Sequence, residues 1–170
     1  MVALADLTNA QIVTFVERYR ESKLTEGGVF SLAELLREQR RRNGSGFNAH
    51  QVATAILELC QKSPDGFAKY GELFDRMYPG QKWSGHKSLG LITKALDSVI
   101  MYCFENGLPV ISVLIVNGAN RQLTPGAKTN ICTECRDMGF ATGSDCEAFI
   151  ADQIVRSLKI RKQELPFLAT

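Results

Sequence analysis

The sequence predicts a mainly helical α+β fold, with about seven helices and a small sheet. Three observations lead there. Apolar residues recur at three- and four-residue spacing through most of the chain. Ser, Thr and Asp caps on one side and Gly or Pro on the other bracket those runs. Only Val110 to Val116 is nearly continuous and β-branched. At 170 residues the chain can bury a full core without staples. Residues 1–43 read as an N-terminal helical segment and 48–170 as the main α+β domain, joined at Asn43-Gly44-Ser45-Gly46; the two can also pack as one.

Thr8 can cap a helix from about Asn9 to Ser22, in which Ile12, Val13, Phe15, Val16 and Tyr19 form one stripe, with Gly27-Gly28 as its end. Ser31 and Glu34 have capping-box spacing and open a second helix with Leu32, Leu35 and Leu36 inward. A third fits Ala49 to Gln61, before the turn Ser63-Pro64-Asp65-Gly66. A short helix over Tyr70 to Met77 halts before Pro79-Gly80. From Lys87 to Glu105, Leu89, Ile92, Leu96, Val99, Ile100 and Cys103 keep helical period, and Asn106-Gly107 closes the run. Val110 to Val116 reads as a strand covered on both faces. Thr124-Pro125 opens a helix ending at Gly139, and Asp145 caps a last one to about Lys159, with Phe149, Ile150, Ile154 and Leu158 inward.

Twenty Lys and Arg against 18 Asp and Glu give a net charge of +2. That balance excludes a generally cationic nucleic-acid wrapper, so any electrostatic footprint is local. The longest apolar stretch, Leu108 to Val116, is broken by Pro109 and Ser112 and is about half the length that spans a bilayer. No membrane partner is therefore expected. Met1 to Asn9 has no basic region and carries Asp6, so no export is expected either. The five cysteines, Cys60, Cys103, Cys132, Cys135 and Cys146, suit a reducing compartment better than a disulfide framework, and the expected localisation is cytoplasmic.

The local footprint falls between Asp75 and Asp97, where no acidic residue occurs. Arg76, Lys82, His86, Lys87 and Lys94 lie there with Trp83, the single tryptophan. Lys82-Trp83-Ser84-Gly85-His86-Lys87-Ser88 precedes the long helix, whose free amides and positive dipole end favour phosphate. Two readings stand: a solvated loop with Trp83 plugging the core, or an anion or nucleic-acid site. Arg40-Arg41-Arg42 likewise reads either as a solvated helix end suited to the dipole, or as an arm that adds phosphate contacts.

The order of turn, Tyr70-Gly71 opening a short helix, basic turn, long helix and strand resembles the DNA-binding half of the alkylguanine-DNA alkyltransferases and their inactive alkyltransferase-like relatives. The resemblance covers about residues 66–116 and implies a helix-turn-helix or winged-helix-like unit. It would put Tyr70 on a phosphate and Lys87, in Lys87-Ser88-Leu89-Gly90, near the finger that enters the duplex. The family's Pro-Cys-His-Arg acceptor motif has no counterpart in Leu108-Pro109-Val110-Ile111, so alkyl transfer is not implied. Lys82 to Ser88, Tyr102-Cys103, Gly107-Leu108-Pro109, Val113 to Asn117 and Asn130 to Cys135 also resemble a group of small bacterial proteins that carries no assigned activity.

Cys132-Thr133-Glu134-Cys135 raises zinc and redox readings. Structural zinc needs four ligands, and only Cys146 is near in sequence as a third. A thioredoxin-like pair sits at a helix start after a strand, whereas this pair lies late in its helix. Packing is the expectation, with no metal and no cofactor. Only His50 and His86 are available for acid–base work, and no serine elbow or phosphate-loop motif occurs, so no catalytic residues are assigned. The expected function is an accessory protein binding DNA, RNA or another phosphate-bearing partner. The alternative is a protein-interaction or regulatory module, which salt response separates from it.

Overall fold

In the computed structural model, which describes residues 3–43 and 47–167, Thr8 opens α1 (Asn9–Ser22) with the expected reciprocal cap. Its Oγ1 accepts from the Gln11 amide at 3.2 Å, and the Gln11 side chain accepts from the Thr8 amide at 2.7 Å. The helix stops at Lys23, in the left-handed region at φ 56°, rather than at Gly27-Gly28. The Tyr19 hydroxyl then fixes the connection, donating to the Phe30 carbonyl at 2.6 Å and accepting from the Gly28 amide at 2.8 Å. Ser31 and Glu34 form the box that starts α2 (Leu32–Asn43). Residues 44–46 of the sequence-assigned linker lie outside the described residues.

Asn48 caps α3 (Ala49–Lys62). There follow β1 (Ala68–Lys69), α4 (Tyr70–Met77), α5 (His86–Glu105), a 3-10 turn (Ile111–Leu114), β2 (Ile115–Val116), α6 (Pro125–Met138) and α7 (Cys146–Ser157). Thr124 and Asp145 cap α6 and α7 as their positions predict. The fold is thus mainly helical α+β, with seven α-helices and one two-stranded parallel sheet among the described residues. Ala68 stands opposite Ile115 and Lys69 opposite Val116. The pairing brings the start of α4 beside the chain that leads to α6. One contiguous apolar core runs from Ile12 and Val16 of α1 through Val52, Ile92 and Leu114 to Ile150 of α7.

The Val110–Val116 expectation divides. Its burial is as expected, since every residue of the segment is buried. Its conformation is not: Ile111–Leu114 winds into a 3-10 turn and only Ile115–Val116 pairs as strand. The turn packs among α3, α5 and α7. A short apolar run carries no period that separates strand from buried turn, and the partner strand is only two residues long.

The cysteines require a correction. Cys132, expected to pack as a thiol beside Cys135, is bonded to Cys146, with Cα atoms 6.0 Å apart, joining α6 to the first residue of α7. Helix periodicity puts Cys132 and Cys135 on one face; it does not say that the next helix begins opposite that face. Cys60, Cys103 and Cys135 remain thiols, and burial pushes each up to about 12, which leaves them unreactive. Peptide mapping without reduction is expected to recover one Cys132–Cys146 cross-link and three alkylatable thiols. A map with five free thiols would remove the bond. No described helix is long and apolar enough to cross a membrane.

Candidate nucleic-acid interface

Residues 78–85 connect α4 to α5 and are held from below by aromatic packing. Phe74, 1% exposed, stacks on Tyr78 at 5.1 Å and meets the edge of Trp83 at 5.3 Å. That contact fixes the inner side of Trp83, while 42% of the residue stays in solvent. Trp83 therefore does not plug the core. Gly85 sits at φ 54° and ψ −122°, a backbone conformation that a side chain would strain, and turns the chain into α5. The Ser84 amide donates to Ser88 Oγ at 2.8 Å, which ties the loop to the first turn.

No side chain caps this twenty-residue helix, so its first-turn amides have no side-chain partner at the positive end of the dipole. Lys82, His86, Lys87 and Lys94 are all exposed. None of the three lysines enters an ion pair among the described residues. At about 100° per residue, Lys87 and Lys94 fall within about 20° of one another on the helix surface. His86 lies about 100° round the helix from Lys87, in the sector of Thr93 and Asp97.

The other sequence-assigned residues are placed differently. Arg76 is exposed but pairs with Glu58 at 3.0 Å. Arg40 is enclosed between α2 and α6, where it pairs with Glu134 and reaches Met138 Sδ at 3.6 Å; burial lowers its affinity for the proton. Arg42 pairs with Glu38 at 2.6 Å and donates to the Leu7 and Ala5 carbonyls at 2.5 and 3.2 Å. Arg41, 67% exposed at its side chain, pairs with the same Glu38. The arginine run thus spends two of its three side chains holding α2 against the N-terminus and α6. Tyr70 is half-buried at the start of α4. Residues 78–85 are longer than the three- or four-residue turn, roughly, of a helix-turn-helix.

Tyr70 and Trp83 share a cavity of about 740 Å³ between α4, α5 and α6. Leu89, which the sequence places inward, is 38% exposed and lines it, as do Thr93, Asp97 and Asn130. Sequence reading missed Asp97 as a site residue, using it only as the end of an acid-free run. Its signal was an acid on the same helix face as Leu89, Thr93 and Ile100. Burial raises Asp97 to about 6, and the Glu134 charge adds to this; Arg40 and the Asn130 side chain oppose it.

The folded state therefore holds the Asp97 proton more tightly than the unfolded chain, whose value is 3.8. The stability this contributes is complete below pH 4 and is lost as pH rises through 6. Asp97→Asn is expected to raise stability at pH 7 by about 1–2 kcal/mol after solvent screening, with the gain gone near pH 4. Urea melts across that range test it, and a gain independent of pH would dismiss the assignment.

No family model, curated protein or solved structure matches this chain in the three comparisons made.

Proposed function

We propose that the protein binds nucleic acid without catalysis, through the uncapped start of α5. The observation that carries this reading is the coincidence, at one helix end, of exposed Lys82, His86 and Lys87 with amides that no side chain caps and a half-exposed tryptophan. Amides and dipole suit one phosphate, and the lysines neutralise its neighbours along the strand. Trp83 supplies a face for base stacking. Under this reading α4 and α5 act as a helix-turn-helix-like unit with a lengthened turn. Arg41 is the one member of the arginine run with an outward side chain, so it is the one able to extend the footprint. A cytoplasmic site of action belongs to the same proposal, and the Cys132–Cys146 bond counts against it, because disulfides are rare in reducing compartments.

Mobility shifts with single- and double-stranded DNA and RNA test the reading. Lys82→Glu with Lys87→Glu is expected to abolish the shifted species while helical content and melting stay unchanged, because both side chains are exposed. Partial reversal, with one lysine changed at a time, is expected to lower the slope of log affinity against log salt by about 1 per lysine. Unchanged binding by the double variant would refute the site. Partner binding insensitive to salt would favour a protein-interaction module instead.

A further inference from the structure

We propose that the cavity under Trp83 is a pocket for a nucleobase carrying an amino group, with Asp97 and Asn130 as the groups that read its edge. This rests on the reading of the α5 start as a phosphate site and names what the adjoining cavity holds. Its volume, about 740 Å³, is of ligand size. Leu96, Ile100 and Ile131 supply apolar wall, and Tyr70 and Trp83 supply aromatic surface. A flat, largely apolar ligand fits such a lining.

Ser112 borders the cavity at 2% exposure, but its hydroxyl, without a hydrogen-bond partner among the described residues, is closed to solvent and carries no part of the binding.

Charge then selects the kind of ligand. Glu72, Asp75 and Asp97 line the cavity against Lys69 alone, and Lys69 pairs with Glu72 at 3.8 Å. An acidic interior rejects phosphate and accepts N–H donors. The groups facing Asp97 are Arg40 from α2 and Glu134 and Asn130 from α6, and Asp97 itself makes no ion pair among the described residues. A carboxylate only accepts, so it suits the paired N–H groups of guanine or the amino group of cytosine. Uracil offers a single N–H set between two carbonyl oxygens, which would oppose the carboxylate. The two halves of a nucleotide thus separate: a neutral base inside, and its phosphate outside at the amino end of α5. Leu89, in the first turn of that helix, lines the cavity and makes the two places contiguous.

Trp83, the only tryptophan, reports on the cavity by its fluorescence. The intact protein is titrated with guanosine, cytidine and uridine, which lack phosphate, and separately with an abasic oligodeoxynucleotide, which lacks bases. Guanosine and cytidine are expected to change the emission saturably, with uridine at least tenfold weaker. Asp97→Asn is expected to erase that preference, and Asn130→Leu, a change at an exposed position that tests the pocket separately, to weaken guanosine at least tenfold. Salt-sensitive binding of the abasic strand without a response to nucleosides would overturn the pocket and keep the phosphate site. A nucleoside response without abasic-strand binding would overturn the phosphate site and keep the pocket. Equal affinity for guanosine and uridine, or a response to butylammonium and to no nucleoside, would overturn the base reading.

Discussion

Leu114→Ala is expected to lower stability by about 2–5 kcal/mol, a large share of the total for a domain this size. Leu114 is 1% exposed and belongs to the 3-10 turn that packs among α3, α5 and α7. Ile111, Val113 and Ile115 beside it are fully buried. Three helices from distant parts of the chain meet on this turn, so the void left by the lost side chain cannot close by moving one of them alone. Both the transfer free energy and the cavity contribution should therefore be felt. Val13→Ala, at a residue 40% exposed on α1, is the matched control and should change stability by less than about 1 kcal/mol. Urea melts with unchanged slope measure both. A loss well below about 1 kcal/mol at Leu114 would mean that the turn is peripheral, and that it does not anchor α5, the helix that carries the proposed site.

The second large effect is expected at Glu134. Its carboxylate accepts from Arg40 of α2 and, at 3.2 Å, from Arg20 of α1, and Arg20 also reaches Asp137 at 2.8 Å. The Glu134 side chain is 14% exposed and that of Arg40 16%. Glu134→Gln removes the negative partner and leaves the enclosed Arg40 guanidinium without it. The expected loss is about 3 kcal/mol, the lower end for breaking a buried pair. Arg41→Ala, which removes an exposed partner of Glu38, should cost less than about 1 kcal/mol. Glu134 also raises Asp97, so the same variant should bring the Asp97 carboxyl back toward its ordinary range, which NMR titration reads. An unaltered Asp97 with unaltered stability would show that neither Arg40 nor Asp97 depends on this carboxylate.

The helices were legible because each carries its own signals. Thr8, Ser31, Thr124 and Asp145 cap where their side chains and spacing require, α4 starts at Tyr70 and stops two residues before Pro79, and α6 starts at Pro125 and stops one residue before Gly139. Burial of Val110 to Val116 was legible as well, since a β-branched run with no polar alternation has no face to give to water. The candidate site was legible in part. The acid-free run located the exposed lysines and the uncapped helix start, and it left open whether Trp83 faced the core or the solvent.

The number of helices, and the caps at Thr8, Ser31, Thr124 and Asp145, could be read from the chain alone, because they depend on groups within a few residues of one another. The tertiary structure alone decided the pairing of Ala68–Lys69 with Ile115–Val116, the 3-10 path of Ile111–Leu114 and the bond from Cys132 to Cys146. It also sent Arg40 and Arg42 inward to Glu134, Glu38 and the N-terminal carbonyls, and it gathered Tyr70, Asp97, Ser112 and Asn130 around one cavity. Each of these joins residues from separate elements. Which surfaces meet is set by the packing of whole helices on a shared core, and local periodicity carries no record of that choice.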